Sequence, residues 1–264
     1  MAKKRKTLPK EIKALLEGGD IQGVKELLLR CEPNAVTGKY GSNIFSLTPL
    51  PRELALWAKE QGADVDFLDY YERTPIFDHA SAWNGDVRLL LELGARPNVA
   101  DHFGVTPLHL ASLYGRPDAV RALLEAGMDA NIPSGRLDSF GYMTPLEKTL
   151  LQNRLPYERL LEICTILLDH GAEITGRCRE YMRKSAEQFQ RNKRVMKDLE
   201  YLRSQTEGLE KLYKLFDIQP PPEVPFHDGV SPILVPEAGE DAQFQQLWDF
   251  LVPPSGRAQT AQGE

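Results

Sequence analysis

Cysteine and histidine are scarce in this sequence, which limits the chemistry that it can support. The three cysteines lie far apart, at Cys31, Cys164 and Cys178. An odd number without close spacing favours reduced thiols, and hence a reducing, cytoplasmic location, over a disulfide framework. The five histidines have no cysteine or acid neighbours at metal-ligand spacing, so we expect neither a metal nor a cofactor.

Catalytic patterns are missing as well. The residue order offers no Ser-His-Asp or Cys-His arrangement, and no glycine-rich phosphate loop follows a strand. We therefore expect the protein not to be an enzyme. A small C-terminal catalytic unit stays open as an alternative, and it would require a pocket of acids with perturbed pKa values near Asp228.

The chain also lacks long apolar runs and an excess of positive charge. No run is long enough to cross a bilayer, and the basic N-terminus has no apolar core of a secretory signal, so we expect no membrane partner. The net charge of −6 argues against nucleic-acid binding. With 42% hydrophobic and 27% charged residues, the composition is typical of a soluble globular protein.

The sequence does contain one segment with a clear pattern of helix signals, at 104–131, which reads GVTPLHLASLYGRPDAVRALLEAGMDAN. Thr106 is a natural helix N-cap, and Pro107 suits the first helical turn because its missing N–H costs nothing there. Gly115 and Gly127 suit the positive φ angles found at helix ends. Apolar residues at helical spacing predict the seam between neighbouring units: Leu108, Ala111, Val120, Leu123 and Leu124.

This segment recurs along the chain. Residues 73–98 read RTPIFDHASAWNGDVRLLLELGARPN, and Gly94 stands 33 residues before Gly127. A third copy begins at Thr144 and ends with LLDHGAEI at 167–174, after a longer linking hairpin. Recurrence at a fixed period indicates a stack of repeated units.

A fourth unit, which ends at 57–66, is degenerate, and a fifth at the N-terminus has helices near 9–17 and 21–30 and resembles a capping repeat. The whole pattern resembles the ankyrin repeat, whose period is about 33 residues. The resemblance implies an all-α ankyrin-repeat solenoid of about five units with short β-hairpin loops. It also implies that His109 bonds to Thr106 and to neighbouring loops, and that the concave face recognises another protein.

Three positions depart from the repeat. Phe77 and Glu147 stand where the central copy has His109, and Glu72 replaces the turn glycine seen as Gly104. We expect these changes to weaken the local hydrogen bonds and to make the loops irregular.

The chain divides into four segments. Residues 1–7 form a basic tail, 8–175 the repeat array, 176–216 a helical cap over the last repeat, and 217–264 a proline-rich arm with a short amphipathic helix at 243–253. The region from 176 onward resembles the C-terminal extension of a group of bacterial ankyrin-repeat domain-containing proteins.

The candidate partner-binding residues are aromatic and neighbouring side chains on the hairpin tips and near the ends of the first helices. Such residues bury a large area at a small entropic cost. They are Tyr70, Tyr71, Arg73, Trp83, His102, Phe103, Val105, Leu113, Tyr114 and Tyr142. Alternatively, these side chains fill gaps beside irregular loops or bind the tail of the chain itself.

These features predict a monomer that binds one protein partner when it is present, as a bacterial immunity or inhibitor protein would. The alternative is a scaffold or regulatory subunit that binds through its C-terminal extension. The run Lys3–Lys6 also matches a minimal nuclear-import pattern, although basic chain ends are more often solvated.

Overall fold

The computed structural model describes residues 3–38, 41–135, 141–152, 155–193 and 196–222. The chain forms two compact units, the first made of Met1–Leu155 and Glu162–Glu173, the second of Pro156–Leu161 and Ile174–Glu264. The strands of the described residues are β1 (Arg5–Thr7) and β2 (Cys31–Val36). Their helices are α1 (Glu11–Glu17), α2 (Ile21–Leu28), α3 (Arg52–Glu60), α4 (Pro75–Ser81), α5 (Val87–Glu92), α6 (Pro107–Leu113), α7 (Pro117–Glu125), α8 (Pro145–Gln152), α9 (Tyr157–Asp169), α10 (Gly176–Asn192) and α11 (Leu199–Phe216).

Three helix pairs confirm the predicted repeats. Helices α4, α6 and α8, the first helices, each begin at a proline that directly follows a threonine. The second helices α5, α7 and α9 follow them along the chain. Gly115 and Gly127 have φ angles of 63° and 88°, as the sequence predicted.

The core of the first unit lies between successive repeats. Helix α6 packs against both α4 and α8, and α5 packs against α7. Leu108, Ala111, Val120 and Leu123 have no exposed surface and Leu124 is 7% exposed, which confirms the predicted seam. Burying one leucine of this kind stabilises the fold by about 2 kcal/mol.

His109 forms the predicted bridge between units. Its Nδ1 accepts from the Thr106 backbone N–H at 3.2 Å and lies 2.8 Å from the Thr106 hydroxyl oxygen. Nε2 therefore carries the proton and donates to the Met143 carbonyl of the next repeat at 3.1 Å. Burial lowers the pKa of His109 to about 4, so the ring is neutral at physiological pH.

The departures from the repeat affect these bonds differently. The expectation that Glu147 weakens them is wrong, because this buried side chain accepts from the Thr144 N–H at 3.2 Å while Thr144 Oγ1 accepts from the Glu147 N–H. This reciprocal pair is a capping box. At the Phe77 position the expectation is confirmed, since the buried hydroxyl of Thr74 has no hydrogen-bond partner among the described residues.

Successive hairpin loops are joined through their backbones. Asp101 Oδ1 accepts from the N–H groups of Phe103 and Val105, both at 2.9 Å, which holds one loop closed. The His102 N–H donates to Tyr71 O of the previous loop at 2.9 Å. The Gly135 N–H donates to Gly104 O at 3.0 Å, so the following loop is joined as well.

The N-terminal part of the first unit differs from the prediction. Helices α1 and α2 lie close to the predicted spans, but the basic tail predicted for residues 1–7 is wrong at Arg5–Thr7, which form β1. Strand β1 pairs in parallel with β2 in a two-stranded sheet of the described residues. In the degenerate unit that ends at 57–66, a 3-10 turn at Ile44–Ser46 replaces the first helix.

The second unit contains α10 and α11, which lie within the segment 176–216 that the sequence predicts to be helical. Tyr157 OH lies 2.9 Å from Ser185 Oγ of α10, and the Tyr157 ring meets Phe189 edge-on at 5.4 Å. Helix α11 approaches the same residue through Gly208, where a Cβ atom would lie 3.0 Å from the Tyr157 backbone. The capping role stays a prediction, and the helix predicted at 243–253 lies outside the described residues.

Gly104 provides a direct test of the loop stacking. It has a φ of 69°, and a Cβ atom there would lie 2.5 Å from the Gly135 backbone. We expect Gly104→Ala to lower the free energy of unfolding by about 3 kcal/mol in urea denaturation, from backbone strain plus displacement of the neighbouring loop. The matched control is Gly127→Ala, which shares the positive φ but meets no atom within 4 Å, and it should cost about 1 kcal/mol. Equal losses in the two variants would contradict the loop stacking.

Candidate protein-binding face

The predicted partner-binding residues all belong to the first unit. The most exposed are Tyr70 (77%), Trp83 (78%) and Tyr142 (57%). Tyr114, Phe103 and His102 are also exposed, whereas Tyr71, Arg73 and Leu113 are half-buried. Val105 differs from the rest because it is only 9% exposed, so its side chain belongs to the core rather than to the surface.

Two consecutive hairpin tips bring four of these rings together. The rings of Tyr70 and Tyr71 meet edge-on at 5.3 Å, and Tyr71 lies 6.4 Å from Phe103 of the next loop. His102 meets Phe103 edge-on at 5.6 Å. The structure therefore forms one aromatic cluster from residues that lie about one repeat apart in the sequence. We call Tyr70, Tyr71, His102 and Phe103 the tip cluster.

Arg73 contacts the tip cluster at the Tyr71 ring and binds Asp101 of the next loop. Its Nε and Nη2 both donate to Asp101 Oδ2, at 2.8 and 2.7 Å, and its guanidinium lies 5.7 Å from the Tyr71 ring centre. The Asp101 carboxylate is fully buried, and its other oxygen closes the loop described above. Arg73 is therefore a residue that joins two loops and neutralises a buried charge.

A second aromatic site lies near the end of α4. The guanidinium of Arg116 stacks over the Trp83 indole at 4.9 Å, and Arg116 Nε donates to the Ser81 carbonyl at 3.1 Å. The indole is thus held in place while most of its surface stays exposed. The sequence did not indicate a role for Arg116, because only its position between Gly115 and Pro117 distinguishes it from other exposed arginines.

The second helices carry a different surface. Helices α2 and α3 are the second helices of the two N-terminal units. On this surface each ion pair joins a cation of one second helix to a glutamate of the next: Lys25–Glu53, Arg52–Glu92, Arg88–Glu125 and Arg121–Glu162. Exposed pairs contribute little stability individually. The charges of these eight side chains are thus paired with one another within the chain.

Asp78 of α4 is a half-buried acid beside Arg73 that the sequence did not single out. The pKa of Asp78 is raised to about 6, mainly by burial. A hydrogen bond with Ser46 acts in the opposite direction and lowers this pKa, whereas the charge of Asp69 raises it. The folded protein therefore holds this proton at a pH where the unfolded chain, with an ordinary value of 3.8, has released it.

Metal-ligand groups and membrane-spanning helices are both absent from the described residues. Across the part of the chain that the structure describes, no group of three or more His, Cys, Asp or Glu side chains could hold a metal ion. None of the described helices is long and apolar enough to span a membrane.

Comparison with known proteins places these features in a family. A family model described as ankyrin repeats (3 copies) matches residues 12–134 and 79–178. The NF-kappa-B inhibitor delta of Mus musculus is 32% identical over 103 residues, 36% of this chain and 31% of that protein. An ankyrin repeat protein of fowlpox virus is 30% identical over 113 residues, 42% of this chain and 30% of that protein. The chain thus spans about a third of the length of these two relatives.

Asp78 predicts a specific pH dependence of stability. Because its folded pKa is raised, its contribution to stability is fully present below pH 3.8 and is lost as the pH rises through about 6. We expect Asp78→Asn to stabilise the protein by about 1–2 kcal/mol at neutral pH in urea denaturation, and the gain to vanish towards pH 4.

Asp118→Asn is the control, because that side chain is 97% exposed. The histidines contribute equally to the pH dependence of stability in the unsubstituted protein and in both variants. Their effect therefore cancels when the stability of each variant is compared with that of the unsubstituted protein. A gain from Asp78→Asn that is equal at every pH would exclude a raised pKa for Asp78.

Proposed function

Since the chain belongs to the ankyrin repeat family, we propose that it is a non-catalytic protein that recognises one protein partner through the aromatic side of its first unit. This surface, the loop face, consists of the tip cluster with Trp83, Leu113, Tyr114 and Tyr142. Ankyrin repeats generally mediate protein–protein interaction. The observation that carries the proposal is that exposed aromatic rings stand on the hairpin tips and near the ends of the first helices, whereas four ion pairs join the second helices to one another.

The chemistry of the loop face suits a binding hot spot. Trp83 and Tyr70 have few rotatable bonds, and Arg116 already stacks on the indole, so little side-chain entropy is lost when a partner covers them. Arg73 and Asp101 neutralise each other beneath the rings, so a partner need not provide a charge at that point. Rings of this kind contribute about 2 kcal/mol or more each to affinity when they are fully covered.

We further propose that binding neutralises the partner, as an inhibitor or a bacterial immunity protein does. The name of the mouse relative, NF-kappa-B inhibitor delta, describes an inhibitory member of the family that is similar over part of its length. The C-terminal resemblance to bacterial ankyrin-repeat proteins favours the bacterial role. A cytoplasmic location and a monomeric unbound state belong to the same proposal, and light scattering would measure the latter.

A second candidate is a scaffold that binds through the second unit. It is supported by two exposed apolar side chains on α11, Leu199 at 77% and Tyr201 at 46% exposure. Both lie within the first turn of that helix. A partner bound there would be lost in the double variant Leu199→Ser/Tyr201→Ser and retained in loop-face variants.

Crosslinking followed by affinity measurement tests the loop face. A photoreactive amino acid at position 83 should capture the partner, and the same group at position 56 on α3 should not. With the captured partner purified, we expect Tyr70→Ala and Trp83→Ala each to raise Kd by about 30-fold in calorimetry, while the melting temperature changes little.

Leu56→Ala is the matched control, since Leu56 is an exposed apolar side chain (43%) outside the loop face. Unchanged affinity in the Tyr70 and Trp83 variants would refute the loop face. A loss of affinity that only accompanies unfolding would assign these rings a packing role instead.

A further inference from the structure

The first helices α4, α6 and α8 each bring one side chain to the surface at the same place. Asp78, Leu110 and Lys148 stand four residues after the threonine that precedes each helix, and all three are half-buried. Because α6 packs against both α4 and α8, these positions form one row across the three helices. We call Asp78, Leu110 and Lys148 the helix row. The residues directly before and after each member are buried: Phe77 and His79, His109 and Ala111, and Glu147 and Thr149.

The next turn of the same helices is apolar beside the helix row. Leu113 and Tyr114 follow Leu110 by three and four residues, and Leu151 follows Lys148 by three. Side chains at this spacing share one side of a helix, and all three reach the surface. The helix row therefore adjoins Leu113 and Tyr114, which belong to the loop face.

The two ends of the helix row carry opposite charges. Neither Asp78 nor Lys148 makes an ion pair with another described residue, and Arg73, whose charge acts on Asp78, is bonded to Asp101. Above a pH of about 6, Asp78 is thus an ionised, half-buried acid that a cation would stabilise. Burial lowers the pKa of His109 and the charge of Lys148 lowers it further, so this ammonium lies near the start of α6.

The spacing of the helix row suits a helical ligand better than an extended one. Packed helices lie about 8–10 Å apart, so neighbouring members of the row are separated by about 10 Å. An α-helix covers about 10 Å in seven residues, which is two turns, and returns to the same side. A strand covers this distance in about three residues, and side chains three apart point to opposite faces. A helix can therefore contact all three members from one side, whereas a strand would turn every second contact away.

We propose that the helix row binds an amphipathic helix of the partner protein that carries a cation, an apolar residue and an acid at intervals of about seven residues. The cation lies against Asp78, the apolar residue against Leu110 and the acid against Lys148. A helix with the same charge at both ends would bring one pair of like charges together, so the row selects the mixed helix. This inference rests on the proposed function, because the row adjoins the loop face.

Binding of synthetic helices to the full-length protein tests the proposal. The probe is a fluorescein-labelled, hydrocarbon-stapled helix of about 18 residues with Lys, Leu and Glu at successive seven-residue intervals, and with leucine three residues after the Lys and the central Leu. Two comparison helices carry Lys at both ends or Glu at both ends. At about pH 8, where Asp78 is ionised, we expect fluorescence anisotropy to show that the mixed helix binds at least about fivefold more tightly than either.

Lys148→Glu reverses the charge at one end of the helix row. Both ends are then acidic, so the helix with Lys at both ends should become the tightest of the three. An acid near the N-terminus of α8 is favourable, so we expect the fold to be retained, which circular dichroism would verify. The control Lys10→Glu changes the net charge equally at an exposed residue directly before α1, and it should leave the mixed helix the tightest.

Asp78→Asn is a second variant that removes the charge at the other end. It should bind the mixed helix and the helix with Glu at both ends about equally, because Lys148 is then the remaining charged member of the row. Its matched control is Asp118→Asn, whose side chain is 97% exposed on the second helix α7. That control should keep the original ranking.

Equal binding of the three helices, or the same ranking in Lys148→Glu as in the unsubstituted protein, would overturn the proposal. Absence of binding by the mixed helix at about 1 mM would overturn it too. Self-association that Lys148→Glu abolishes in sedimentation would instead assign the row to a second copy of this chain. The loop face fails separately, since the Tyr70→Ala and Trp83→Ala variants are measured with the captured partner and do not depend on the ranking of these helices.

Discussion

The structure of the first unit depends on one constraint: no helix pair can cover its own apolar side or satisfy its own buried polar groups. Helix α6 illustrates the point, because Leu108 and Ala111 are fully buried only between α4 and α8. His109 has the same dependence, since its Nε2–H is satisfied by a carbonyl of the following repeat. An unsatisfied buried donor would cost about 1–3 kcal/mol, so the repeats are stable together and not singly.

The same constraint makes the loop face rigid. Asp101 uses one carboxylate oxygen to close its own loop and the other to bind Arg73 of the preceding loop. The tip rings are therefore carried by loops that are fixed to each other. Rigid loops lower the entropic cost of association, because their conformation is already set before a partner arrives.

The sequence predicted the parts of the fold that repeat locally, and it failed where contacts between distant residues decide the outcome. The Thr-Pro starts and the 33-residue spacing were sufficient to place α4 to α9. Glu147 was misjudged because only the folded loop shows that its carboxylate returns to the Thr144 N–H. Strand β1 was missed because its partner lies about 26 residues away in β2, and four consecutive cations resemble a solvated tail. The tip residues were predicted, but the hydrogen bonds between Arg73 and Asp101 were not. These bonds form only because two successive loops lie side by side, which no single repeat encodes.

Charged side chains have different roles on the second helices and at the tip cluster. Cations of the second helices are paired with glutamates of the next helix, so their attraction is used to align the repeats. At the tip cluster the carboxylate of Asp101 is buried and paired with the half-buried Arg73, so recognition there would rest on aromatic area. Binding at the loop face should therefore change little with added salt, because screening acts on exposed charges and leaves apolar burial almost unchanged.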